Sequence, residues 1–222
     1  MSSSFPIVLS LEVAFFALLL VTPVAQLLAW LQARRVYPGR RLVDALILLP
    51  LVLPPSVTGY VLLVVWGKNG WLGRWLDTVF DVRLVFSPAG AVVAAAIVAL
   101  PIVVKTAQPA FEAVPADLEN VGRSLGLSPL ALFFRVTLPC AWRGVVAALM
   151  LGFSRAIGEF GATLMFAGNI PGRTNTMPLE IFAAAQMGDD ARARVYVAAL
   201  LVTSIVVVAA ASWLTPRWVR YE

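Results

Sequence analysis

The chain has 222 residues, of which 60% are hydrophobic and only 13% charged, and its mean hydropathy is +0.87. Soluble domains run near half apolar and about a quarter charged, so this composition argues against an ordinary soluble domain and for one membrane domain. There is no histidine, Cys140 is the single cysteine and the formal net charge is +5. An internal disulfide, a His/Cys metal site and Ser-His-Asp or Cys-His catalysis are thereby excluded, and the positive charge bears on loop orientation rather than on nucleic acid.

A spanning helix needs about 20 mostly apolar residues. Five stretches meet that need, over residues 7–31, 42–66, 89–106, 141–166 and 195–214. The start, MSSSFPIVLS, has no basic n-region and no small-residue cleavage site, and reads as uncleaved. The second stretch contains LLPLVLPPSVTGY, in which Pro50, Pro54, Pro55 and Gly59 predict either a kink packed against neighbours or a broken helix lining a pathway. A short, partly immersed helix is expected over residues 178–187. Trp30, Trp66, Trp142 and Trp213 fall near predicted helix ends, as interfacial tryptophans do.

Basic residues set the orientation. Arg34, Arg35, Arg40, Arg41, Lys105, Arg123, Arg135, Arg143, Arg217 and Arg220 lie in the first and third connections and the tail. Lys68, Arg74, Arg83, Arg173, Arg192 and Arg194 lie in the second and fourth connections, and Arg155 falls inside a helix. This bias places the N-terminus outside and the C-terminus in the cytoplasm.

The third connection is patterned. Pro115 stands where a first-turn proline belongs, Leu118, Val121 and Leu125 recur at helical spacing, and Gly126 stands where a C-cap glycine belongs. Ser128 then reads as an N-cap, Pro129 as the first helical residue and Pro139 as the end of the element. Two short helices joined at a glycine turn are expected, each too short to span. They form either an ordinary amphipathic surface segment or a rigid knob for a cytoplasmic partner.

ENVGRSLGLSPLALFFRVTLP resembles the signature cytoplasmic loop of ABC importer permeases. Glu119, Gly126, Leu138 and Pro139 match that pattern, while Val121 and Gly122 stand where two alanines are usual. SRAIGEFGATLMFAGNIPGRTNTMPLEIF is similar to the segment that follows this loop in permeases for tetrahedral oxyanions, and within them to the molybdate permeases. Arg155, Gly158, Glu159, Phe160, Gly161, Ala162 and Thr163 carry that likeness, together with Asn169, Ile170, Pro171, Gly172, Thr174, Thr176 and Pro178.

The resemblance implies an all-α membrane protein with the type I ABC importer transmembrane fold. It implies a single permease domain over residues 1–222 with about five transmembrane helices and a cytoplasmic coupling-helix loop at residues 112–139. The place is the cytoplasmic (inner) membrane of a bacterium or archaeon. The implied function is a translocation path for molybdate, coupled to ATP hydrolysis by a separate ATPase subunit. The implied partners are a second copy in a homodimer, two cytoplasmic ABC ATPase subunits, an extracytoplasmic molybdate-binding protein and membrane lipid, with no nucleic acid. ATP and Mg would bind the partner ATPase. No GxxxxGK[ST] motif occurs, so this chain is expected to be no enzyme and to hold no cofactor or metal itself. Close alternatives are a permease for sulfate, thiosulfate or tungstate. A stand-alone secondary transporter or channel would predict inverted repeats and no docking loop, and an intramembrane hydrolase lacks both histidine and a GxSxG elbow.

On a continuous fourth helix, Arg155, Glu159 and Thr163 would fall at i, i+4 and i+8 on one face. Ser154, Gly158 and Ala162 would form an adjacent small-residue stripe for close helix packing. Arg155 and Glu159 either attract and gate the anion or pair with each other as a strut. The strut is favoured, because intramembrane charges need partners whether or not they touch substrate. In the outer segment, Arg173, Thr174, Asn175 and Thr176 are candidates for a gate or for docking the binding protein, and Thr176 is also a candidate N-cap. Glu119, Val121, Gly122, Gly126, Leu138 and Pro139 are the candidate contacts of the coupling loop with the ATPase.

Overall fold

The computed structural model describes residues 4–214. Arg217 and Arg220, counted above toward the orientation, lie outside the described residues, as do the two chain ends themselves. Among the described residues there are helices and no strands.

α1 (Phe5–Arg34) is followed by α2 (Arg40–Val52) and α3 (Pro55–Trp66). The expected second span is broken: the chain bends by 111° between α2 and α3. Pro54 and Pro55 explain the break, since neither ring nitrogen can donate and Pro54 takes an extended ψ of 136°. α4 (Trp71–Phe80) leads to α5 (Pro88–Glu112), which begins with Ser87 accepting from the Gly90 N–H. α6 (Ala116–Ser124) and α7 (Pro129–Leu132) form the loop, followed by a π turn over Phe133–Thr137 and α8 (Leu138–Ile157). α9 (Gly161–Phe166), α10 (Met177–Gln186) and α11 (Asp190–Leu214) complete the chain.

Among the described residues four helices are long and apolar enough to cross a membrane, namely α1, α5, the continuous run Pro129–Ile157 and α11, and the bent pair α2–α3 makes a fifth if its two arms count as one span. Two boundaries differ from expectation. Pro139 does not end a surface helix. The chain runs without interruption from α7 into α8, as one helix of 29 residues. The π turn is the reason. Its wider ring, closed by the Leu138 N–H donating to the Phe133 carbonyl, lets the helix admit a proline that would otherwise crowd the preceding turn. The fourth span does not reach residue 166 either. α8 stops at Ile157, and Phe160 leaves helical geometry at φ −126° before α9 begins.

The core is the packed group α1, α5 and α8. Its buried faces are built from small residues: Ala14, Ala17, Ala25 and Ala29 on α1, and Ala91, Ala95, Ala99 and Ala107 on α5. In lipid, helices gain little from hiding apolar surface from one another, so close backbone approach supplies the packing. On α8 the small stripe is Gly144, Ala148, Gly152 and Ala156, at a strict spacing of four. Gly144 lies on Ala110, and Gly152 lies on Val103 and Leu18. The stripe expected at Ser154, Gly158 and Ala162 does not form, because the helix ends at Ile157 and Gly158 is exposed. Ala162 is fully buried, but it packs from α9 onto α3. α2 is held differently. Ile47 is its one buried residue, and Asp44 ion-pairs with Lys105 of α5.

Candidate functional site

The break between α8 and α9 lies against the break between α2 and α3. A Cβ placed on Gly161 would stand 2.8 Å from Pro55 Cβ and 3.4 Å from the Ser56 backbone nitrogen. One turn further on, a Cβ placed on Gly59 would stand 2.9 Å from Ala162 Cα. Glycine at both positions is what lets two interrupted helices touch at their interruptions. Discontinuous helices within a membrane are tolerated where protein or a cavity covers the freed backbone.

Glu159 organises this junction. The residue is 3% exposed, and its carboxylate makes two contacts. Oε2 stands 2.8 Å from Arg155 Nη1, and Oε1 accepts from the Ala162 N–H at 2.8 Å. The first contact reaches back across the last turn of α8. The second satisfies one of the free N–H groups at the start of α9. The carboxylate therefore splices two helices whose backbone ladders do not connect. Arg155 is less enclosed, its side chain 27% exposed. A guanidinium has five N–H donors, so Arg155 can hold Glu159 and still present donors beyond the protein. Thr163, at 1% exposure, is buried within α9. It is therefore not the third member of an Arg155–Glu159 face on one helix. Thr58 on α3 and Ser154 on α8 each carry a buried hydroxyl with no protein partner.

At the other end of α8, the loop residues divide into an inward and an outward set. Glu119 is buried. Its Oε1 accepts from Thr137 Oγ1 at 2.8 Å and lies 3.5 Å from Arg34 Nε of α1. Its Oε2 lies 3.5 Å from Arg123 Nη2, and Arg34 also donates through Nη2 to the Val114 carbonyl. One carboxylate thus binds α6 to the end of α1 and to the π turn. Gly122 faces inward too, against Leu132 and Leu127. Leu118, Val121 and Leu125 are exposed, with Leu130 and Phe134 of the following helix. Gly126 has φ +80°, the left-handed region. It closes a Schellman turn in which Gly126 N–H donates to Arg123 O and Leu127 N–H donates to Gly122 O. Leu138 is half-buried and Pro139 exposed at the base of α8.

The segment after α9 is stitched to itself. Thr174 Oγ1 donates to the Gly168 carbonyl and accepts from the Ile170 N–H. Asn175 Oδ1 accepts from the Gly172 N–H, and its Nδ2 donates to Glu180 Oε2 at 3.0 Å. Glu180 in turn pairs with Arg192 of α11. Thr174, Asn175 and Thr176 are buried, while Arg173 is exposed. α10 starts at Met177 after Thr176, whose hydroxyl is buried without a partner, and the Met177 N–H instead donates to Ser10 Oγ of α1 at 2.7 Å.

Ser10, Arg34, Glu180, Arg192, Asp44 and Lys105 complete these contacts; none was a site candidate from sequence, Arg34, Lys105 and Arg192 having entered only the orientation count. For Glu180 a signal existed, a carboxylate within the apolar run MPLEIFAAA. For Ser10 and Arg34 none did, because their partners lie 167 and 80 residues away.

Residues 22–220 match the family model for the binding-protein-dependent transport system inner membrane component. The molybdenum transport system permease protein ModB of Haemophilus influenzae is 41% identical over 211 residues, covering 94% of this chain and 92% of that one. The sulfate transport system permease protein CysT of Synechocystis is 36% identical over 180 residues, covering 81% of this chain and 63% of that one. Among solved structures, the bacterial alginate ABC transporter in complex with a pentasaccharide-bound periplasmic protein aligns with a TM-score of 0.69 at 17% identity, covering 95% of this chain and 76% of that chain. The inward-facing MetNI methionine ABC transporter aligns with a TM-score of 0.69 at 15% identity, covering 96% and 92%. At those identities the structures speak to the fold, that of type I ABC importer transmembrane domains.

Proposed function

The chain belongs to the family of binding-protein-dependent transport system inner membrane components, and from that premise we propose that it is the permease that carries molybdate through the membrane in an ABC importer. The observation that favours molybdate over sulfate is extent. The chain spans nearly all of the molybdenum permease relative and less than two thirds of the sulfate one.

In this reading two copies enclose the path, with the N-terminus outside and the C-terminus in the cytoplasm. Two ABC ATPase subunits, which bind the Mg and ATP, receive the coupling loops. An extracytoplasmic binding protein delivers the anion at the segment that exposes Arg173. The exposed apolar face of Leu118, Val121 and Leu125 is suited to a cleft on the ATPase. Glu119 passes movement of that face to Thr137 at the base of α8. α8 has 20 residues, so at 1.5 Å per residue it carries the displacement about 30 Å. Its last turn carries Arg155 and leads into Glu159, where the two broken helices touch. A dianion path needs donors without so much fixed positive charge that the ion is trapped. Arg155 supplies donors, and the bound Glu159 offsets its charge.

The test is uptake by the reconstituted complex with its own binding protein, with molybdate, tungstate and sulfate in competition. ATP-dependent molybdate uptake that excess sulfate leaves largely intact is the expected result. Preferential sulfate uptake would move the chain to the sulfate permeases, and uptake without ATP would overturn the importer reading.

A further inference from the structure

A cleft between the basic end of α1 and the coupling loop lies outside the anion path proposed above, although Glu119 and Thr137 of the coupling route line it. One part is an apolar crevice of about 430 Å³, lined by Leu27 and Trp30 of α1 and by Leu130, Phe133, Phe134 and Leu138 across from them. Its mouth, about 330 Å³, is lined by Arg34, Arg35, Arg123 and Glu119. Trp30, Pro129 and Phe133 line both parts, so the two adjoin across the Trp30–Phe133 edge contact.

The mouth is positively charged. Glu119 is the single carboxylate in its lining, and it is shared between Arg34 and Arg123. Arg35 is exposed, its guanidinium carbon 5.7 Å from the centre of the Trp30 ring. Three guanidinium groups against one carboxylate leave two positive charges at the rim. The order along α1 is also informative. Arg34 and Arg35 close the helix, Trp30 lies one turn in, and Leu27 lies about 11 Å from Arg34 along the axis. Charge, then an amphipathic ring, then an apolar slot is the order of phosphate, glycerol and acyl chain in a phospholipid.

We propose that this cleft binds an anionic phospholipid, with one acyl chain in the crevice against Leu27 and Phe134 and the phosphate at Arg35. A mouth with two uncompensated positive charges selects a lipid with net negative charge over a zwitterionic one. The chain would lie against the π turn that Thr137 ties to Glu119, so the lipid would buttress the coupling loop from its membrane side. The proposal requires membrane embedding and is independent of which anion the permease carries.

Native mass spectrometry of the purified full chain tests this, after delipidation and titration with phosphatidylglycerol or phosphatidylethanolamine of matched acyl chains. Wild type is expected to retain phosphatidylglycerol preferentially. Arg35→Gln is expected to cut that preference by about fivefold, the worth of one arginine beside an anionic lipid surface, and Arg35→Lys to keep it. Leu27→Trp fills the crevice from α1 and is expected to lower retention of both lipids. Equal retention of the two lipids by wild type, an undiminished preference in Arg35→Gln, or unchanged retention in Leu27→Trp would each overturn the proposal. So would disulfide cross-linking between two copies of the Leu27→Cys, Cys140→Ser chain in the bilayer, with the exposed native thiol removed, because a second copy would then cover the crevice.

Discussion

Removing Arg155 alone is expected to harm the protein more than removing Arg155 and Glu159 together. In Arg155→Ala the Glu159 carboxylate stays buried and keeps only the Ala162 N–H. Breaking a buried pair from one side costs about 3 kcal/mol, because the remaining charge is left unsolvated. In the double alanine variant no charge is stranded. What goes is the bond to the start of α9, worth about 1 kcal/mol by analogy with helix capping. The difference, about 2 kcal/mol, corresponds to roughly a 30-fold change in the folded-to-unfolded ratio. Glu159→Gln should be the mildest of the three, since an amide oxygen can still accept from Ala162 and the partly exposed Arg155 can turn to water. Thermal unfolding of the purified chain in detergent, followed by tryptophan fluorescence, should rank the variants in that order. A double variant less stable than Arg155→Ala would refute the splice. Arg155→Lys separates the splice from anion contact. It keeps the charge on Glu159 but loses the planar fork of donors, so stability should be near wild type while uptake falls. Wild-type uptake in Arg155→Lys would remove Arg155 from the path.

Gly126→Ile places a β-branched residue at φ +80°, at a cost of about 1–2 kcal/mol, and opens the turn between α6 and α7; membrane insertion should persist while ATP hydrolysis by the assembled complex no longer drives uptake. Gly152→Leu drives a side chain into Val103 and Leu18 and should lower stability by about 1–3 kcal/mol, with a lowered unfolding midpoint as the readout. Glu119→Ala leaves the partly buried Arg34 without its carboxylate, so hydrolysis and uptake should uncouple even if the exposed face of α6 is intact. The purified chain alone should show no ATPase activity, and activity that persists through stringent purification would contradict the division of labour between permease and ATPase.

The loop was legible in the sequence because its boundaries are local events. Pro115, Gly126, Ser128 and Pro129 each act through their own backbone or a neighbour within three residues; the last three stand where the sequence places them, and Pro115 caps α6 from one residue before its first turn. Pro139 acts locally as well, but its effect depends on how the preceding turn responds. The π turn absorbs the proline, and hydropathy carries no sign of that. The break at Gly158 was hidden for a different reason. Residues 141–166 are mostly apolar, and apolar content does not report whether the backbone ladder is continuous. The spacing of Arg155 and Glu159 was right for a pair, and it was right only because Arg155 lies in the last turn before the helix ends. Thr163 at i+8 required a helix that does not exist. The packing stripe was misplaced by the same error, since Gly144, Ala148, Gly152 and Ala156 repeat the same spacing on the part of the helix that does form.

The two buried carboxylates that α8 separates have the same design. Glu119 joins elements whose backbones cannot hydrogen-bond to one another, and so does Glu159. Glu159 is placed where a helical ladder is interrupted, at the break before α9, and Glu119, in the first turn of α6, where the loop packs on the end of α1 and the π turn. A carboxylate suits that task because its two oxygens accept from different donors at once, and its burial makes loss of either donor expensive. Between them α8 is held to α5 by small residues that leave little room for bending. A push on α6 therefore has few places to be absorbed before it reaches the junction of the broken helices. The charges in the middle of an apolar segment are consistent with this mechanical role. Glu159 cannot be spared from the splice to meet an anion, whereas Arg155 has donors left over after holding it. Any direct contact with the transported oxyanion then falls to Arg155, with Glu159 setting how strongly that arginine can hold on.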